Sequence, residues 1–194
     1  LGRHGMAVAD FARELRAAGV TLLQYRDKTG GPQEVLRAAA AIREVFAEAE
    51  CRLILNDRAD LAALAGWDGV HVGQGDLAPE DARWVMGGEG WIGASTHTEA
   101  QVRLADAGCA DYVAVGPVFG TVTKLDAETV VGLEGVRRAR ALTAKPLVAI
   151  GGITRENARS VIEAGADSVA VISALFAEGE SCEKVARDFL EILG

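Results

Sequence analysis

Two groups of residues in this sequence have the types and order needed to bind phosphate. The first comprises the cations Arg26, Lys28 and Lys124 with the carboxylates Asp57 and Asp76. Mg2+ is usually held by one or two carboxylates together with substrate phosphate oxygens and water. Asp57 and Asp76 meet that demand, and the Lys and Arg side chains could take up the rest of a diphosphate's charge. The same five residues could equally form a structural salt-bridge network. The second group is Gly151-Gly152, just ahead of a helical segment starting near Arg155, with Ile172-Ser173-Ala174 further on. Glycine lets a phosphate approach bare backbone N–H groups at the positive end of a helix. A tight turn explains a Gly-Gly pair about as well. A diphosphate with Mg2+ on one side and a monophosphate on the other implies a reaction of two substrates.

Other chemistries find little support. There is no HxExxH, Walker A or GxSxG pattern, and no lysine lies inside an apolar run where a Schiff base would form. His71 falls inside an apolar run and reads as a core or supporting group rather than a base. For His97, at the end of such a run, helix capping competes evenly with substrate contact, and His4 is uninformative. Cys51, Cys109 and Cys182 are odd in number, far apart and without CxxC spacing, so reduced thiols are expected. With 20 basic against 28 acidic residues the net charge is −8, which repels nucleic acid and anionic membranes. No apolar run approaches the roughly 18–20 residues of a membrane span, and no targeting peptide is evident, so a soluble cytoplasmic protein is expected.

The 194 residues, 49% hydrophobic and 25% charged, suit one globular domain over residues 1–194. Seven short apolar runs read as strands: Val20–Tyr25, Arg52–Leu55, Gly69–Val72, Trp91–Ala94, Tyr112–Val118, Pro146–Ile150 and Ser168–Leu175. Their near-continuous apolarity suits parallel strands covered on both faces. Segments of helical period separate them: Gln33–Ala49, Leu61–Leu64, Pro79–Met86, Glu99–Ala107, Leu133–Leu142, Arg155–Ala164 and Cys182–Leu193. Pro79 sits where a first-turn proline belongs, and Thr98 and Thr154 read as N-caps. A weak repeat, at Ala18-Gly19, Ala65-Gly66, Ala107-Gly108 and Ala164-Gly165, ends a helix before every second strand. A left-handed glycine is the expected reason for each stop.

Strand–helix alternation admits an open doubly wound sheet or a (β/α)8 TIM barrel. The barrel is favoured, because the chain has no linker and polar clusters follow most strands, as at a barrel's catalytic face. Yet only seven strands are visible and the chain opens with a helix, Met6–Ala18. The first barrel strand is therefore expected to be absent from this sequence, which would expose two sheet edges.

In this order the post-strand motifs resemble thiamine-phosphate synthase. They are QxRxK at Gln24–Lys28, ND at Asn56-Asp57, GQxD at Gly73–Asp76, STHT at Ser95–Thr98, GPVFxTxTK at Gly116–Lys124, GLEG at Gly132–Gly135 and AIGGI at Ala149–Ile153. The match runs from about Gly19 to Leu175. The resemblance implies an enzyme joining hydroxymethylpyrimidine diphosphate to thiazole phosphate, with Mg2+ and release of pyrophosphate. It assigns the pyrimidine diphosphate to Gln24, Arg26, Lys28, Asn56, Ser95 and Lys124, with Arg26, Lys28, Ser95 and Lys124 catalytic. It gives Mg2+ to Asp57 and Asp76, and the thiazole phosphate to Thr121, Thr123, Gly152, Ile172 and Ser173. The family's mechanism is dissociative: the diphosphate leaves, a pyrimidine-methyl cation forms, and the thiazole nitrogen attacks it. Cations then act where leaving-group charge develops. The long polar loop from Phe119 to Val131 is expected to be a mobile lid. The sequence departs from the family in lacking an LYxITD-type first strand and in carrying Tyr25 where Leu is common.

Three rivals share the fold. A thiazole tautomerase would have no use for Lys28, Asn56-Asp57, Asp76 and Thr123-Lys124, and a ligand-sensing regulator need not retain leaving-group machinery. A phosphosugar epimerase would need an acid–base pair that is not evident. The expected partners are these small molecules, with no nucleic acid or membrane; monomer and homo-oligomer both remain open.

Overall fold

Every one of the seven apolar runs forms a strand in the computed structural model, which describes residues 5–120 and 129–194. The strands are β1 (Leu22–Tyr25), β2 (Arg52–Asn56), β3 (Gly69–Val72), β4 (Trp91–Thr96), β5 (Tyr112–Val115), β6 (Leu147–Ile150) and β7 (Ser168–Ala170). The helices are α1 (Val8–Ala18), α2 (Pro32–Phe46), α3 (Ala59–Ala65), α4 (Pro79–Val85), α5 (Glu99–Ala107), α6 (Gly132–Leu142), α7 (Arg155–Glu163) and α8 (Cys182–Leu193). Each strand pairs in parallel with the next in sequence, giving the order β1-β2-β3-β4-β5-β6-β7. A doubly wound sheet reverses its order at a switch point; this sheet has none.

Burial on both faces explains the unbroken apolarity. Leu53, Ile54 and Leu55 are consecutive in β2 and all buried, as are all residues of β3 and β5. The helices cover the outer face, while Ile54, Val70, Ile92, Val113 and Leu147 are fully enclosed. The helical layer closes on itself. Phe11 of α1 stacks on Phe176 at 5.5 Å, Glu14 Oε2 accepts from the Glu183 amide at 3.1 Å, and Arg187 Nη2 donates to the Ala17 carbonyl at 3.2 Å. Among the described residues the sheet has two edges, β1 and β7.

Two strands stop three or more residues before their apolar runs end. β5 stops at Val115, ahead of Gly116-Pro117, because proline has no N–H to give a central ladder. The run Ser168–Leu175 is strand only to Ala170. Its neighbour β6 ends at Ile150, the partner of Ala170, and Gly151 (φ 99°) and Gly152 (φ 65°) then turn the chain away. Ser173–Leu175 forms a 3-10 turn instead.

The Ala-Gly repeat also needs one correction. Gly19, Gly66 and Gly165 take left-handed φ values of 88°, 62° and 109°, but Gly108 is at φ −86°. At that position a Cβ would lie 2.9 Å from Glu80 Oε1 and 3.2 Å from the Leu104 carbonyl, so close approach selects glycine there.

The repeat carries a second element. Asp68, Asp111 and Asp167 each accept a 2.7 Å hydrogen bond from a backbone amide at the preceding strand's start, that of Leu53, Ile92 and Leu147 respectively. Arg83 and Arg140 brace two of these carboxylates at 2.7 and 2.8 Å. Losing such an acceptor leaves a part-buried N–H unpaired. Asp111→Ala is therefore expected to lower unfolding free energy by about 1–3 kcal/mol in denaturant titration. Because Asp111 lies at the N-terminal end of β5, turnover per folded molecule should not change.

Candidate active site

The opposite, C-terminal ends of the strands carry the residues singled out from the sequence. Gln24 lies in β1, Arg26 and Lys28 in the loop after it, Asn56 ends β2 with Asp57 next, and Asp76 follows β3. Gln24 Nε2 donates to Asn56 Oδ1 at 2.7 Å across adjacent strands. The Lys28 ammonium pairs with Asp57, whose carboxylate also meets that of Asp76. Asp76 is itself anchored, accepting from the Gly73 amide at 2.8 Å. Arg26 is exposed on the same loop as Lys28.

Asp57 sits in an unusual position. It is the one non-glycine with positive φ among the described residues, at 66°. Such backbone is tolerated by Asp and Asn far better than by other side chains. Its side chain is only 16% exposed. Burial pushes its carboxyl above the ordinary range, Asp76 adds to that, and Lys28 opposes it.

The loop bearing the cations is held by a residue that the motif reading passed over. Asp27 Oδ1 accepts from the amides of Thr29 at 2.9 Å and Gly30 at 2.8 Å, and these bonds hold its carboxyl below the usual range. An Asp just ahead of Thr29-Gly30-Gly31-Pro32 is the local signal of such a turn.

Further round the sheet, Ser95 is half-buried in β4. Its carbonyl accepts from Gln74 Nε2 at 2.7 Å and its hydroxyl meets His71 Nε2 at 2.7 Å. His71 is buried at 6% exposure, as a supporting group should be. Capping describes the local contacts of His97: its amide donates to Gln101 Oε1 at 2.7 Å and its Nδ1 meets the Gly116 carbonyl at 2.5 Å. Thr98 caps α5 through the Gln101 amide at 3.3 Å.

Of the residues expected to hold the monophosphate, Gly152 follows β6 while Ile172 and Ser173 follow β7, so the three lie at neighbouring strand ends. A Cβ on Gly152 would lie 2.6 Å from the Gly120 carbonyl, and one on Gly151 would lie 2.5 Å from Pro117 Cβ. The turn itself therefore requires the glycine pair. Arg155, at the start of α7, is committed to Glu180 and Asp188, with contacts of 2.5 Å to each, and contributes no cation to that turn. Thr121, Thr123 and Lys124 lie outside the described residues, as does most of the expected lid.

The oxygen donors at this end of the sheet bear on which cation the site could hold. Two carboxylates, Asp57 and Asp76, face each other, and no group of three or more His, Cys, Asp or Glu side chains gathers elsewhere among the described residues. An all-oxygen set of two acids, incomplete without phosphate and water, fits a hard cation such as Mg2+. The three cysteines are free, and burial pushes the Cys51 thiol up to about 11, which leaves it protonated and unreactive. Among the described residues, no helix is long and apolar enough to cross a membrane.

Several known proteins are similar to this chain over most of its length. The family model for thiamine monophosphate synthase matches residues 2–175. A thiamine-phosphate synthase of Koribacter versatilis (strain Ellin345) is 55% identical over 183 residues, spanning 94% of this chain and 85% of the relative. One from Methanoculleus marisnigri is 46% identical over 93% of this chain and 85% of its own length. The solved structure of a thiamine phosphate pyrophosphorylase from Pyrococcus furiosus superposes with a TM-score of 0.89 at 33% identity, covering 98% of this chain and 91% of that one.

Proposed function

The chain belongs to the thiamine monophosphate synthase family, and we propose that it is the transferase joining hydroxymethylpyrimidine diphosphate to thiazole phosphate, with release of pyrophosphate. The observation that carries this reading is the contact chain Lys28–Asp57–Asp76 beside the Gln24–Asn56 pair. It combines a paired cation, Lys28, with an oxygen-only pair of acids, the equipment for a diphosphate leaving group. An isomerase acting on thiazole phosphate alone would not need it.

In this reading Gln24, Asn56 and Ser95 orient the pyrimidine diphosphate, while Arg26, Lys28 and Lys124 receive the charge that builds on the departing pyrophosphate. Asp57 and Asp76 would hold Mg2+, which when bound would supply further positive charge to that leaving group. The reaction is dissociative: the carbon–oxygen bond to the diphosphate breaks first, and the thiazole nitrogen adds to the pyrimidine-methyl cation. No protein nucleophile takes part, in keeping with the protonated Cys51 thiol. Thr121, Thr123, Gly152, Ile172 and Ser173 hold the thiazole phosphate, helped by the N–H groups at the start of α7. The (β/α)8 form of the fold asks for one more strand between β1 and β7, and the packing of α1 on α8 supports it. Free thiols suit a cytoplasmic enzyme.

The test is to mix the purified chain with both substrates and Mg2+ and follow products. Thiamine phosphate and pyrophosphate should appear in equal amounts, and a chelator should stop both. Product formed equally well in chelator would remove the metal from the reading. Isomerised thiazole phosphate without coupling would replace it with a tautomerase.

A further inference from the structure

Behind Ser95 lies a buried chain of side-chain hydrogen bonds that ends at its hydroxyl. Tyr112 Oη in β5 lies 2.9 Å from His71 Nδ1 in β3, and His71 Nε2 lies 2.7 Å from Ser95 Oγ in β4. Tyr112 is 4% exposed, and burial holds its phenol above the ordinary range, so it keeps its proton. Among the described residues its hydroxyl meets one partner, His71. A buried O–H without an acceptor is costly, so the Tyr112 proton points at Nδ1. That fixes the imidazole: Nδ1 accepts, and Nε2 carries the hydrogen it donates to Ser95 Oγ. With a lone pair of Ser95 so engaged, its own hydrogen is left to point away from His71.

Gly93, between Ser95 and the start of β4, is what permits this. A Cβ there would lie 2.3 Å from Tyr112 Oη and 2.4 Å from His71 Nδ1, inside the bond itself. Glycine in a strand interior weakens the strand and often marks a close approach of other groups; here the approach is the Tyr112–His71 contact.

We propose that Tyr112 and His71 are positioning residues for the transfer reaction, locking Ser95 as a hydrogen-bond donor toward the pyrimidine diphosphate, with Gly93 as the gap that lets them meet. The proposal rests on the functional reading above, in which Ser95 touches that substrate. Tyr112→Phe removes one hydroxyl and keeps the ring's packing. It should lower kcat/KM for the pyrimidine diphosphate by about ten- to a hundredfold, the usual cost of losing an orienting partner, and leave KM for thiazole phosphate unchanged. On a Ser95→Ala background the same change should have no further effect.

Imidazole nitrogen NMR reads the relay without activity. The His71 signals, assigned by their loss in His71→Gln, should show a neutral ring protonated at Nε2, and Tyr112→Phe should disturb that preference. A ring protonated at Nδ1, or full activity in Tyr112→Phe, overturns the proposal. Equal losses from Tyr112→Phe with and without Ser95 reduce Tyr112 to core packing and overturn it too. If Ser95→Ala is itself fully active while the Nε2 tautomer is found, the functional reading of Ser95 fails, and the relay's catalytic purpose fails with it.

Discussion

Lys28→Ala is expected to lower kcat by about a hundredfold or more, the size seen when one group facing developing charge is lost. Folding should be almost untouched. The Lys28 side chain is 51% exposed, and its pair with Asp57 is therefore screened by water. Chemical denaturation should place the variant within about 0.5 kcal/mol of the parent. The asymmetry follows from where the ammonium is needed. In the free enzyme it rests against Asp57, which is already crowded by Asp76. In the proposed reaction it would meet charge that exists only while the diphosphate departs, and that is where binding accelerates a reaction. Lys28→Arg should recover only part of the loss, because a planar fork cannot reproduce the compact ammonium beside two carboxylates. Parallel losses of turnover and stability in Lys28→Ala would show that the residue braces the loop instead. The steady-state kcat with saturating thiazole phosphate, set beside the denaturation midpoint, decides between them.

What the sequence made legible was set by local chemistry. Strands covered on both faces leave long apolar runs, so all seven could be located, and Glu99–Ala107 and Cys182–Leu193 were bounded to the residue. What escaped depends on partners distant along the chain. The end of β7 is decided by where β6 turns at Gly151, and the need for glycine at 108 by the approach of Glu80. In the candidate site, Arg26, Lys28, Asn56, Asp57 and Asp76 were singled out because charge and amide types at and after strand ends are conspicuous. Tyr112 was not, since an aromatic in an apolar run reads as core until His71 is placed 2.9 Å from its hydroxyl. The pairing of Lys28 with Asp57, 29 residues apart, likewise needs the alignment of β1 with β2.

Asp57→Asn should separate function from stability in opposite directions. Turnover is expected to fall by about 10²–10³-fold, since the variant loses a charge that the reaction uses. Stability at neutral pH, measured without divalent cations, should be unchanged or higher. Burial and Asp76 raise the carboxyl pKa of Asp57 in the folded chain. A carboxyl raised in this way stabilises the fold fully below its unfolded value, about 3.9, and that contribution is lost as pH rises through the folded value. The ionised group at pH 7 therefore opposes folding, and an uncharged side chain of the same shape relieves it. Asparagine also accepts the φ of 66°, so the turn after β2 survives. Alanine does not accept it as well. Asp57→Ala should lose the same activity and melt below Asp57→Asn, by an amount matching the roughly 1–2 kcal/mol cost of left-handed backbone. Thermal melts across pH read the rest: the advantage of Asp57→Asn over the parent should shrink toward zero as the pH falls below about 4. A variant that melts well below the parent at pH 7 would mean that the ion pair with Lys28 outweighs desolvation and Asp76 together, and that the carboxylate is held for the fold rather than for the reaction.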